Sequence, residues 1–246
     1  MSVAEPFFCA EAADARQDPL VGTAPRGAHW VLVEYPGAWP ADGFEGLDLD
    51  HAVRAAVFGA AQSLRARILL IRRHGRRRDG DGPRRWAVLH RHPGGGTRQR
   101  WGVWEADRDL LGVVRALRGC GGTVHEGASA PLSGEEERAP VVLVCAHGRH
   151  DVCCAMRGRP VAERLSERWP ELVWECTHVG GDRFAANVMV VPDGVYYGRL
   201  DADSAVEVVG DHLAGRIRAD HLRGYTDLAP VEQVAVAAAL EKLGSA

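Results

Sequence analysis

Residues 141–160 read VVLVCAHGRHDVCCAMRGRP, and residues 176–184 read CTHVGGDRF. Together they hold four of the six cysteines in the chain, in the company of His147, His150, Asp151, His178 and Asp182. Thiols beside imidazoles and carboxylates suit a metal centre or a thiol reagent, whereas a core uses cysteine only as a small apolar residue. Paired thiolates near a helix start gain from the exposed N–H groups and the dipole, and their pKa falls. Gly180 and Gly181 let backbone approach a bulky inorganic group and offer it N–H donors. A vicinal Cys153–Cys154 pair makes a poor structural disulfide, which leaves at least one of the two for another use. By themselves Cys145 and Cys176, on apolar strands, read as core; the convergence of His178, Asp182 and Cys154 at facing loop ends makes them site residues.

The elements that must position these groups repeat one order. In the first half WVLVEY (30–35) is a strand and residues 48–67 a helix with Val53, Val57, Ala60 and Leu64 on one face. Residues 68–73 form a strand, 84–91 and 98–106 a hairpin, and 108–118 a helix. In the second half residues 141–146 form a strand. Pro160 opens a helix over 161–169, with Cys153 and Cys154 in the loop before it. The segment 171–178 is the next strand, putting Cys176 and His178 on one side. A hairpin across Pro192-Asp193-Gly194, a helix over 201–215 and a last helix over 230–243 complete the chain. Each half reads β-α-β-β-β-α, the thioredoxin-like pattern. The expected fold is α/β: two tandem thioredoxin-like halves, residues 1–120 and 141–246, a linker at 121–140, a mixed sheet flanked by helices, and an extra C-terminal helix.

The totals narrow the function classes. With 246 residues, 46% apolar and 26% charged, the chain can build real cores and is not disordered. A formal charge of −3 argues against coating nucleic acid or an anionic membrane. No signal peptide and no 18-residue apolar run is evident, so a cytoplasmic location is expected, where clustered thiols read as metal-binding or catalytic. Cys9 and Cys120 read as plain thiols. The glycine loop at 93–97 lacks the following Gly-Lys-Ser/Thr of a phosphate cradle. The arginines from Arg72 to Arg100 read as a solvated face or as a docking patch for an acidic redox partner.

The two opening segments resemble the sucrase/ferredoxin-like family, whose members look like thioredoxin-fold 2Fe-2S ferredoxins. The family pattern is Cys-x-His-Gly-x-x-Asp-x-x-Cys, followed by Ser/Thr-His-x-Gly-Gly-His-Lys/Arg-Tyr/Phe-Ala. This chain supplies Cys145, His147, Gly148, Asp151 and Cys154, then Thr177, His178, Gly180, Gly181, Arg183, Phe184 and Ala185. The opening LVGTAPRGAHWVLVEYPGAW (20–39) is similar to bacterial members. In fungal members two cysteines and two histidines hold the cluster. The resemblance therefore implies Cys145, Cys154 and His178 as ligands, with Gly180, Gly181, His147 and Asp151 supporting the centre. The second histidine's place is taken by Asp182, and Cys176 and Cys153 compete with it for the fourth bond. Two Cys with two His lift Rieske potentials to about −150 to +300 mV, against roughly −400 mV for plant-type ferredoxins. A carboxylate in place of one His lowers the charge and favours the oxidised state, so a potential between those ranges is expected.

The leading expectation is an electron-transfer protein with one 2Fe-2S cluster in its C-terminal half and no substrate chemistry of its own. No carboxylate pair for glycoside hydrolysis can be placed from the sequence. Three alternatives stand beside it. A thiol-disulfide redox protein is disfavoured by the absence of Cys-x-x-Cys. A structural zinc site suits two Cys and a His equally well. A partner-binding module that has lost the cluster is the third.

Overall fold

A computed structural model of the chain describes residues 8–75, 83–92, 96–120 and 139–243. The linker expected at 121–140 and the glycine loop at 93–97 lie largely outside these residues, as do Arg76, Arg77 and Arg78. After a short helix α1 (Cys9–Ala15), the first half runs β1 (His29–Glu34), α2 (His51–Ser63), β2 (Arg67–Arg72), β3 (Arg84–Arg91), β4 (Thr97–Trp104) and α3 (Leu111–Arg118). The second runs β5 (Val141–Cys145), α4 (Val152–Arg168), β6 (Val173–Cys176), β7 (Val188–Val191), β8 (Val195–Tyr197) and α5 (Ala202–Leu213). A strand β9 (Leu222–Tyr225) and helix α6 (Pro230–Leu243) follow.

All nine strands form one mixed sheet in the order β4-β3-β1-β2-β6-β5-β7-β8-β9. In each half the first two strands pair in parallel and the third pairs antiparallel with the first. The halves join where β2 meets β6 antiparallel, Ile71 opposite Cys176 and Arg72 opposite Glu175. Side chains alternate between the sheet's faces, as a pleat demands. Val31, Val33 and Leu70 pack with Val57 and Val113 of the first half's helices, while Val142, Val144 and Val188 pack with Val161 and Val208 of the second. The opposite face carries Trp30, Leu32, Ile71, Leu143, Cys145, Trp174 and Cys176 in one continuous apolar cluster. The cluster spans the β2–β6 junction, so its burial, at roughly 25 cal/mol per Å², helps hold the halves together.

Several expectations need correction. Helix α4 begins at Val152, nine residues before the expected start, so Cys153 and Cys154 stand in its first turn and not in a loop. Pro160 lies inside the helix on its exposed face, where water can take the carbonyl that the missing N–H leaves free. Asp151 provides the N-cap, its Oδ1 accepting the Cys153 N–H at 2.7 Å. Strand β6 stops at Cys176, so His178 is a loop residue and not on the strand. Helix α2 is shorter than 48–67: Asp50 caps it, and Arg65, in the left-handed region at φ 51°, turns the chain into β2. Helix α1 and strand β9 were not expected.

Candidate metal centre

Cys145 and Cys176 are the last residues of the parallel neighbours β5 and β6 and face each other in register. The carboxyl ends of adjacent parallel strands are where a sheet leaves room for a ligand. Helix α4 returns to this edge because Gly158 lets it approach: a Cβ there would meet the Cys145 carbonyl oxygen at 2.0 Å. That contact seats the first turn of α4 against the end of β5 and brings Cys154 to Cys145.

One donor atom each from Cys145, Cys154 and His178 lies within 4.8 Å of the other two. Both cysteines are fully buried, and His178 is largely so. His178 Nδ1 stands 3.8 Å from Cys154 Sγ, and its Nε2 stands 3.0 Å from Asp182 Oδ1. A carboxylate accepts only, so this partner assigns the ring proton to Nε2 and leaves the Nδ1 lone pair facing the sulfurs. The ring is further fixed by His150, stacked on it at 3.8 Å between centroids. His147 Nδ1 accepts the His178 backbone N–H at 3.4 Å, while its Nε2 donates to the Pro40 carbonyl at 2.8 Å.

The two buried thiols are shifted in opposite directions by the hydrogen bond between them. The hydrogen bond from Cys154 lowers the Cys145 pKa well below the usual range; burial opposes this, and the Val179 N–H adds to it. Cys154 is raised in return, first by that same hydrogen bond and then by burial. Ionisation, which metal binding requires, is therefore favoured at Cys145 over Cys154.

The glycine loop is gripped from outside. The carbonyls of Val179, Gly180 and Gly181 accept from Arg67, Arg223 and Asn187 at 2.9, 2.8 and 2.8 Å. Gly180 and Gly181 adopt φ of 92° and 81°, and a Cβ on Gly181 would lie 2.5 Å from the Arg223 guanidinium. Arg223, only 1% exposed, has no carboxylate partner among the described residues and is satisfied by Thr23, Gly180 and Asn187. Burial lowers its pKa to about 10. The sequence reading missed it, because it sits on the unexpected strand β9, where a buried cation breaks the apolar pattern.

The structure thus brings Cys145, Cys154 and His178 together and sets Asp182 on the far nitrogen of His178. Cys176 is fully buried beside Cys145, but its sulfur is not within 4.8 Å of all three donors. Cys153 turns the other way. Its sulfur lies 3.5 Å from that of Cys9, which therefore is not the plain, isolated thiol expected. Cys120, by contrast, has the Ala116 carbonyl, at 3.5 Å, as its one hydrogen-bond partner among the described residues and packs against the core of the first half. The donor set of two cysteine sulfurs and an imidazole fits a thiophilic centre, iron–sulfur or zinc, because both take S and N ligands of this kind.

Residues 20–224 match the family model described as sucrase/ferredoxin-like. The chain belongs to that family. This sucrase/ferredoxin-like chain is also 33% identical over 99 residues to a Meyerozyma guilliermondii protein named "Altered inheritance of mitochondria protein 32". The match covers 35% of this chain and 35% of the yeast protein, so it spans about a third of that relative. No solved structure matches the chain significantly. Among the described residues no helix of this family member is long and apolar enough to cross a membrane.

Proposed function

We propose that this chain is an electron carrier that holds one 2Fe-2S cluster through Cys145, Cys154 and His178 at the carboxyl ends of β5 and β6. The observation that carries the reading is the convergence of two buried sulfurs and an imidazole at one sheet edge, in a family described as ferredoxin-like. Each half has its four strands in the order 4-3-1-2, which supports a tandem thioredoxin-like arrangement. When bound, the cluster supplies a one-electron couple. The protein's part is to favour ionisation of Cys145, to aim Nδ1 of His178 through Asp182, and to exclude water with the apolar face around Cys145 and Cys176. With Asp182 engaged on the far nitrogen of His178, Cys176, buried beside Cys145, is the residue placed to complete the ligand set.

A cleft of about 950 Å³ opens beside His147, lined by Arg72, Arg73, Arg149, Arg159 and Trp39. We place the docking of an acidic redox partner there, because clustered guanidinium groups steer such encounters. Within the cleft Arg72 also pairs with Glu175 at 2.7 Å and lies over Trp39. A reducing, cytoplasmic setting is part of the same proposal.

One observation favours a second reading, a single zinc ion. For Zn–S of about 2.3 Å and Zn–N of about 2.05 Å, a tetrahedral S···N edge is about 3.6 Å. The Cys154–His178 separation of 3.8 Å is close to that. Anaerobic purification with iron, sulfide and zinc analysis decides between them. The cluster reading expects iron and acid-labile sulfide in equal amounts and a visible chromophore bleached by dithionite. It expects Cys154→Ser and His178→Ala to lose both, and Cys176→Ser to lose them as well. A colourless protein with stoichiometric zinc overturns it in favour of zinc. A metal-free protein with a reducible Cys145–Cys154 pair overturns it in favour of thiol chemistry.

A further inference from the structure

A second convergence of donors lies outside that centre. The Cys9 thiol donates to Asp151 Oδ2 at 3.2 Å, its sulfur stands 3.5 Å from that of Cys153, and all three donor atoms lie within 4.8 Å of one another. We propose that Cys9, Asp151 and Cys153 form a separate site for one thiophilic divalent cation of the zinc class, with solvent in the fourth position.

The spacing supports this. On a tetrahedral ion with Zn–S of about 2.3 Å and Zn–O of about 2.1 Å, the S···S edge is about 3.8 Å and the S···O edge about 3.6 Å. The observed separations of 3.5 and 3.2 Å therefore require donor shifts of only a few tenths of an ångström. The donors are also aimed. Asp151 Oδ1 is engaged by the Cys153 N–H as the cap of α4, which turns Oδ2 toward Cys9. Helix α1, which carries Cys9, is anchored independently: Asp14 pairs with Arg157 and Arg199 at 2.9 and 3.0 Å, and Ala10 and Ala13 are fully buried.

Charge points the same way. Among the described residues the Asp151 carboxylate is met by the Cys9 thiol and the Cys153 N–H and by no cation. The cluster gathers one carboxylate and two thiols, with the Cys9 thiol donating to the carboxylate rather than any cation doing so. Binding would displace the two thiol protons and leave thiolate, thiolate, carboxylate and M²⁺ with a net charge of −1, at the N-terminus of the 17-residue helix α4. Asp151 belongs to the family pattern, but Cys9 precedes the matched residues 20–224, so the three-residue site lies outside that pattern. The cation would tie the N-terminal helix to the turn that carries Cys154.

The test is anaerobic Co²⁺ titration of the reduced, chelator-stripped full chain, read by thiolate-to-cobalt absorption, with wild type, Cys9→Ser, Asp151→Asn and Cys154→Ser compared. Asp151→Asn retains the helix cap. Wild type is expected to bind one more equivalent than Cys9→Ser, Asp151→Asn to bind that equivalent at least about tenfold more weakly, and Cys154→Ser to keep it. Zinc should slow hydrogen exchange in residues 9–15 of wild type but not of Cys9→Ser. Equal stoichiometry in wild type and Cys9→Ser overturns the proposal, as does a Cys9–Cys153 disulfide that forms under peroxide even with zinc present. Failure of the Cys145–Cys154–His178 centre alone appears as loss of the equivalent that Cys154→Ser removes.

Discussion

The two halves use the same strand order and the same crossover, yet their first βα connections differ. In the C-terminal half residues 146–151 join β5 to α4, a turn just long enough to cap the helix with Asp151 and put two cysteines in its first turn. In the N-terminal half residues 35–50 join β1 to α2, and this longer path lays Trp39 and the Pro40 carbonyl against His147. The second strand of the N-terminal half closes the same edge, with Leu70 and Thr177 exchanging hydrogen bonds at 2.9 and 3.0 Å. A repeated frame therefore supplies one candidate centre and one wall. The connections differ in length and in thiols, and both differences fall where the two halves meet.

The helix glycines test that division most severely. Gly158 of α4 faces the Cys145 backbone, so Gly158→Ala must push the helix off the strand, because a carbonyl oxygen cannot rotate away. The expected cost is about 3 kcal/mol, the upper range for overpacking, together with weaker metal binding as Cys154 retreats from Cys145. Urea denaturation and metal content check the two parts. A stable Gly158→Ala protein with full metal content breaks the claim that this contact builds the centre.

Much of this was legible in the sequence, and the failures are physical. Apolar strands, the capped α5 and α6 and the thiol-rich segments show in local periodicity and composition. The start of α4 was misplaced because Pro160 fits a first-turn position, while the cap that does start the helix lies at Asp151. Cys9 looked isolated because its partners are 142 and 144 residues away. Strand β9 escaped because its central Arg223 is held by carbonyls from two distant loops. Asp182 matched a ligand position by spacing, but only three dimensions show its carboxylate on Nε2 of His178.

Buried polar groups sharpen the comparison at intermediate size. Arg223 in the C-terminal half is satisfied by neighbouring oxygens, whereas His90 on β3 is buried with neither ring nitrogen partnered among the described residues, between His29 and His92 at 4.1 and 4.0 Å. Burial first, then the nearby His29, His92 and Arg98, depress its pKa to about 4. The unfolded chain takes up this proton near pH 6.5, before the folded one does, so stability present above about 6.5 is lost as pH falls toward about 4. The loss should reach about 2 kcal/mol. Urea denaturation between pH 7.5 and 4.5 should show it in wild type and a flatter profile in His90→Leu; an equal acid slope in both breaks the assignment.

The smallest effect has the opposite sign. Gly59 sits in the interior of α2, exposed, with nothing within 4 Å of where a Cβ would be, so this helix has no close approach to protect. Gly59→Ala removes backbone freedom from the unfolded chain and should stabilise the protein by about 0.5–1 kcal/mol. The same substitution thus helps one crossover helix and harms the other. Because α2 carries no ligand, metal content should not change with it. A destabilised Gly59→Ala protein would mean that α2 packs as tightly as α4, and the distinction between wall and centre would then have to rest on the thiols alone.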